Sequence, residues 1–402
     1  MTPRERSPSP PPAPRPWYVA AAVVFAVGMA GTTLPTPLYG LYREEIGFSQ
    51  FMVTVIFAVY AVGVIAALLL AGNFSDVLGR RPLIFAALVL SALSALCFVF
   101  EHGLTLLYLG RLLSGFAVGL LSGAATAAVT ELATPEQRGR SGFAATAANM
   151  GGLGCGPLLS GILAQYAPHP LRLPYLVHLA LLAVCVPLVL AMPETVQPTQ
   201  PRPRLRPQGM VVPAQIRGVF VPAALAAFAG FSVLGLFTAI APSFASEYLG
   251  VHNLAVEGAI VLAAFLASTV GQVLAPRVGT ARALPLGCGV LVAGLVLIGC
   301  SLLAESLGLL IAGALVAGAG QGMSFRASMA EVGRVAPAKQ RGATISALFV
   351  AAYFGISVPV VGIGAVAVGL GLRSAGVIFV GCIIVVSGAV GLYLSRRPAP
   401  VS

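Results

Sequence analysis

Ionisable side chains are scarce in this sequence, and the few that interrupt its apolar stretches define the chemistry open to it. Twelve acids are present, and Asp76 is the one aspartate. It lies in Gly72-Asn73-Phe74-Ser75-Asp76-Val77-Leu78-Gly79-Arg80-Arg81-Pro82, with two adjacent arginines starting four residues later. Asp76 falls just past an apolar stretch, and a carboxylate at a helix C-terminus is unfavourable unless cations or neighbouring helix N-termini answer it. Arg80 is placed to do so. Gly72 permits close approach of chain segments, and Gly79 a tight turn. Such a group makes a charge latch that holds one conformation and opens in another.

Arg111 stands seven residues inside an apolar stretch, about 10 Å along a helix. A charge at that depth is costly and marks either a polar pathway or an arginine that snorkels to an interface. Glu131 and Glu257 also border apolar stretches; each either carries a proton or caps an interface. His178 has the residue type that titrates near neutral pH, but a lone histidine near a helix end is read as structural. Covalent catalysis has no support. The sequence holds no P-loop, no His-Glu-x-x-His, no Gly-x-Ser-x-Gly and no clustered metal ligands, so neither an enzyme nor an ATP-driven pump is expected. Six cysteines lie within apolar runs, none as Cys-x-x-Cys. They read as small buried hydrophobes rather than disulfides or zinc ligands.

The elements that must position these groups follow from composition. Of 402 residues, 58% are apolar and 9% charged, with a mean hydropathy of +0.96. That is too little charge to coat a soluble globule or to keep a chain disordered. The apolar runs are long and do not alternate, which selects membrane-spanning helices over barrel strands. Twelve runs are expected to span: 17–41, 50–72, 83–100, 104–131, 142–167, 174–192, 218–247, 255–275, 285–303, 307–333, 343–367 and 374–395.

Residues 1–16 hold seven prolines and three arginines and read as a disordered cytoplasmic tail. No cleavable leader is expected. Residues 193–217 hold six prolines and four arginines and read as a cytoplasmic linker between 17–192 and 218–395, with 396–402 as a second tail. The net charge is +11. The basic residues cluster between the apolar runs, eighteen on one side against Arg43, Arg172 and Arg373 on the other. This is an orientation signal that places both termini inside, rather than a nucleic-acid footprint.

Internal repetition is visible. Gln137-Arg138-Gly139 recurs as Gln340-Arg341-Gly342, and Gly110, Gly115 and Gly119 recur as Gly313, Gly318 and Gly322, all at an offset of 203. Pro157 and Pro359 stand 202 apart. A duplicated six-helix unit suggests a transporter whose site lies between the halves.

Three stretches carry a family resemblance. The Gly72–Pro82 stretch resembles motif A of the major facilitator superfamily, and Arg111-Leu112-Leu113-Ser114-Gly115 resembles its motif B, associated there with proton coupling. Gly152-Leu153-Gly154-Cys155-Gly156-Pro157-Leu158-Leu159-Ser160-Gly161 resembles its antiporter motif C, which tracks export. Val77 stands where motif A has a basic residue, and Pro276 where a second-half copy would have its acid.

The resemblance is to twelve-helix drug:proton antiporters. It implies an all-α integral membrane protein of two pseudo-symmetric six-helix bundles. The expected activity is proton-coupled efflux of small lipophilic or amphipathic compounds by alternating access in the plasma membrane. The expected partners are the substrate, protons and the bilayer, with no nucleic acid, no cofactor beyond the proton gradient, and a monomeric chain. An uptake carrier for a sugar, organic acid or amino acid, and a non-transporting scaffold or sensor, stay open as alternatives. From family helix identity the cavity would draw on Thr32, Thr33, Tyr39, Asn149, Phe237, Gln321 and Tyr353.

Overall fold

A computed structural model describes residues 17–71, 74–196 and 209–396. Gly72, both expected tails apart from Arg396, and positions 197–208 of the expected linker lie outside the described residues.

The described chain is helical, and eleven of its helices are long and apolar enough to cross a bilayer. They are α1 (Trp17–Thr33), α2 (Gln50–Ala71), α3 (Arg80–Val99), α4 (Leu104–Glu131), α5 (Arg138–Tyr166), α6 (Leu173–Ala191), α7 (Arg217–Ala239), α8 (Leu254–Val278), α9 (Thr280–Ala304), α10 (Leu307–Val335) and Arg341–Ser395. The last is 55 residues long, about 80 Å of helix against a core of about 30 Å. It turns back at Gly371, whose φ of 78° and ψ of 159° are not helical. The result is α11 (341–370) and α12 (372–395), and twelve crossings among the described residues.

Two expected runs are shorter than their apolar sequence. The run 17–41 breaks after Thr33, where Pro35 and Pro37 cannot continue the helix, and resumes as Tyr39–Ile46. The run 218–247 breaks at Ile240, just before Pro242, and resumes as Ala241–Leu249. Each short helix ends on a left-handed glycine, Gly47 at φ 80° and Gly250 at φ 63°. These caps stand 203 residues apart, so the duplication extends to the breaks.

Both described ends, and residues 193–196 and 209–217 that flank the undescribed stretch, lie on one face, called here the terminal face; the other is the distal face. Packing repeats across the halves: α4 packs on α1, α2 and α3 as α10 packs on α7, α8 and α9. The halves meet along α5 against α8 and α2 against α11. Large apolar side chains such as Val62, Val184 and Val385 stay exposed on the outside, the surface a lipid environment covers.

With lipid on one side and protein on the other, helices gain little from hydrophobicity and much from close backbone contact. A Cβ on Gly115 would meet the Tyr60 carbonyl of α2, and one on its repeat Gly318 would meet the Ala264 carbonyl of α8. Gly322 lies against the Ser268 carbonyl in the same way. Gly322→Ala therefore forces a backbone shift and should cost about 1–3 kcal/mol. Gly381→Ala, where a Cβ meets open space, should be neutral or stabilising by up to about 1 kcal/mol. Thermal unfolding of the detergent-purified variants measures both signs.

Candidate functional site

A cavity of about 40 Å³ lies between the halves. Thr32 and Thr33 of α1, Thr36 after it, Phe57 and Tyr60 of α2, Arg111 of α4, and Met150 and Leu153 of α5 line it from the first half. Phe231, Leu234 and Thr238 of α7, Phe265 of α8, and Tyr353 and Ile356 of α11 line it from the second. Tyr353 joins the two walls by edge contacts to Tyr60, with centroids 6.1 Å apart, and to Phe231, at 5.9 Å.

Arg111 is the one charged group in this lining and is 2% exposed. Its Nη1 donates to the Thr32 carbonyl at 2.6 Å. The guanidinium carbon lies 4.9 Å from the Tyr60 ring centroid and 5.4 Å from that of Phe57, the geometry of cation–π attraction. Its Nε has no hydrogen-bond partner. Arg111 thus turns into the protein rather than snorkelling to a face. Gly115, one turn on, holds α4 against α2 and brings the guanidinium to those rings.

Helix α5 is the seam of the structure. Pro157 has no N–H, so the Leu153 carbonyl four residues earlier loses its helical partner. Thr33 of α1 supplies one: its Oγ1 donates to Leu153 O at 2.7 Å. Around this kink Gly152 and Gly156 lie against the Ala26 and Ala30 carbonyls of α1. On the opposite side Gly161 lies against the Leu254 carbonyl of α8, and the Pro157 carbonyl against Gly258. One face of α5 therefore stays in its own half, and the other closes on the partner half.

Polar bonds between the halves gather toward the distal face. Arg43 pairs with Glu247 at 3.2 Å, Gln50 donates to Ser243 at 3.1 Å, Asn253 donates to Tyr166 at 3.0 Å, and the Leu254 N–H donates to Gln165 at 2.9 Å. Glu257 lies inside this seal, in the first turn of α8, 4% exposed, its carboxyl without an ion-pair or hydrogen-bond partner among the described residues.

On the terminal face the polar bonds described lie within one half or the other, Arg334–Glu331 in the second and a cluster about Arg80 in the first. Arg80 pairs with Asp76 at 2.5 Å and Glu131 at 3.0 Å. The Glu194 carboxylate accepts the Arg80 and Arg81 N–H groups at 2.9 and 3.0 Å, capping α3, and Thr195 bonds Glu131. Gly79, at φ 107°, starts α3, and a Cβ there would strike the Glu194 carboxylate. Asp76 sits on the separate short helix Phe74–Leu78 rather than at the end of α2.

Several expected positions differ. Glu131 occupies this surface ion pair, not the membrane interior. Of the expected cavity residues, Thr32, Thr33 and Tyr353 line the cavity and four others do not. Tyr39 packs in a distal cluster with Tyr42, Phe98 and Tyr175. Phe237 is fully buried in the core. Asn149 precedes the lining residue Met150 and is turned aside, its Oδ1 unpartnered. Gln321 accepts from Ser268 Oγ at 2.6 Å and fills the space left by Gly230, tying α10 to α8 and α7. No α10 residue lines the cavity. His178 is buried with its Nε2 3.1 Å from Ser91 Oγ, against Gly31. Phe57, Tyr60, Thr238 and Phe265 were not singled out by sequence; the aromatic pair at i, i+3 mid-run is the signal that could have found the first two.

The sequence model of the Major Facilitator Superfamily matches residues 20–358. The class B tetracycline resistance protein of Escherichia coli is 32% identical over 144 residues, covering 36% of this chain and 35% of that protein. The quinolone resistance protein NorA of Staphylococcus aureus is 23% identical over 179 residues, 44% of this chain and 46% of that one. Each match thus spans less than half the length of these relatives. The crystal structure of a bacterial homolog of the human lysosomal transporter Spinster, inward-facing and unoccupied, superposes with a TM-score of 0.71 at 15% identity, covering 96% of this chain and 98% of that one.

The kink gives a direct test. Thr33→Val removes the hydroxyl and leaves the Leu153 carbonyl buried and unpaired, which should cost about 1–3 kcal/mol. Pro157→Ala restores an N–H to that carbonyl, so Thr33→Val should cost much less in the Pro157→Ala background. A double-mutant cycle on thermal stability reads the coupling.

Proposed function

This chain belongs to the major facilitator superfamily, a family of transporters, and we propose that it is a proton-driven exporter of small lipophilic or amphipathic compounds. It acts as a monomer in the plasma membrane, with the terminal face in the cytoplasm. The observation that carries this reading is a cavity between two repeated halves, walled by aromatic and weakly polar side chains with one arginine, and sealed on the distal face by bonds between the halves. Such a lining suits compounds with an apolar body and few polar groups.

The excess of basic residues on the terminal side supports the orientation. The partial likeness to tetracycline and quinolone resistance proteins supports export. So does the α5 seam, since its glycines are those that resemble the antiporter motif.

Alternating access then requires the α5–α8 and α2–α11 contacts to part on the distal face while the terminal face closes. Glu257 lies within the part of the seam that must open. Open to the outside, it takes a proton from water. A buried carboxylate without a counter-charge is costly, so the seam closes most easily on the neutral acid. Release of that proton toward the cytoplasmic side resets the cycle. The Asp76–Arg80–Glu131 cluster acts as the latch on that side, its bonds exchanging as the halves rock.

Everted membrane vesicles containing the full chain, acidified inside, test the reading. Adding a panel of antibiotics and dyes should produce a substrate-dependent proton leak. Glu257→Gln should reduce it to the level of protein-free vesicles while substrate binding persists. Absence of a leak for every compound, with the protein shown to be inserted, would contradict proton-coupled export. A leak unchanged by Glu257→Gln would remove that residue as the carrier.

A further inference from the structure

Resting on that reading, we propose that the cavity selects substrates that carry an anionic group, a carboxylate or comparable compact organic anion, and that Arg111 binds this group. The charge balance of the site is the basis. The Arg111 guanidinium offers five N–H donors in a planar fork. The structure uses one of them on a protein acceptor, the Thr32 carbonyl, and leaves Nε unpartnered. Two aromatic faces soften the charge but do not neutralise it.

No acid lines the cavity, and none of the ion pairs among the described residues involves Arg111. The most deeply buried acid, Glu257, is not its partner. A guanidinium this deep in a membrane protein is ordinarily paired. Here the missing counter-charge is left to whatever enters the cavity. An incoming anion gains a charge-assisted and potentially bidentate bond to the fork. An incoming cation meets an uncompensated like charge, which is a means of rejection. Phe57, Tyr60, Phe231 and Tyr353 then offer walls for the apolar body. The ring contacts fix the guanidinium plane, so charge alone, as a lysine would supply, does not reproduce the site.

The test uses three probes of one shape: 2-naphthoate, 2-naphthamide and 2-naphthylmethylammonium. Their binding to the purified full-length protein is read from thermal stabilisation and ligand titration. Wild type should bind the carboxylate at least about tenfold more tightly than the amide or the ammonium. Arg111→Lys should keep the order with a smaller margin, and Arg111→Gln should abolish the preference. Equal or tighter binding of the ammonium, a preference that survives Arg111→Gln, or no binding of any probe would overturn the proposal.

Uptake of the same probes into everted vesicles separates the two readings. Anion-selective binding without flux would remove export and leave the site. Flux confined to the ammonium would keep export and remove the anion site.

Discussion

One unpaired carbonyl organises the centre of this molecule. Pro157 deprives Leu153 O of its helical hydrogen bond, and in a membrane no solvent is at hand to replace it. Thr33 Oγ1 does so from the neighbouring helix. That bond ties α1 to the kinked α5 at the wall of the cavity, while the glycines around the kink let α5 lie against α1 on one side and α8 on the other. The same few residues therefore set the shape of the cavity, the integrity of the first half and the surface on which the second half closes. A helix without the kink would present a different surface to α8, and a kink without Thr33 would bury an unpaired acceptor.

A second constraint is the cost of charge in a low dielectric. It drives nearly every ionisable group to one face or the other, where the pairs are exposed and individually weak. Arg43–Glu247 ties the halves on the distal face, while Arg80 gathers Asp76 and Glu131 within one half on the terminal face. Two charged side chains among the described residues are buried away from both faces, Arg111 in the cavity and Glu257 in the distal seam. They have opposite charge and do not meet. In the proposed cycle that separation lets one answer to the substrate and the other to the proton, with the movement of the halves as the link between them.

Much of the architecture was legible because a spanning helix has one strong signal, about twenty apolar residues. The crossings and the duplication follow from run lengths, prolines and repeated glycines. Helix ends were less legible. Apolar residues continue past the breaks at Leu34–Pro35 and Ile240, and α11 passes into α12 through Gly371 alone.

The cavity was the least legible part. Helices coated by lipid on one side and protein on the other are apolar all round, so sequence periodicity does not report which side faces inward. Helix identity suggested Asn149, while its neighbour Met150 faces the cavity. Polarity suggested Gln321, but Ser268 binds it within the second half. Arg111 was legible because a charge at that depth has few tolerable environments.

The account stands on reciprocal motion of the two halves about the α5–α8 seam. Spin labels in a cysteine-free background measure it, with Glu45→Cys and His252→Cys as a distal pair and Arg140→Cys and Arg277→Cys as a terminal pair. Pulsed distance measurements across a pH series should find two populations, distal-short with terminal-long and the converse, exchanging in inverse proportion. A single fixed distance for each pair, or both distances changing in the same direction, would contradict alternating access in this protein.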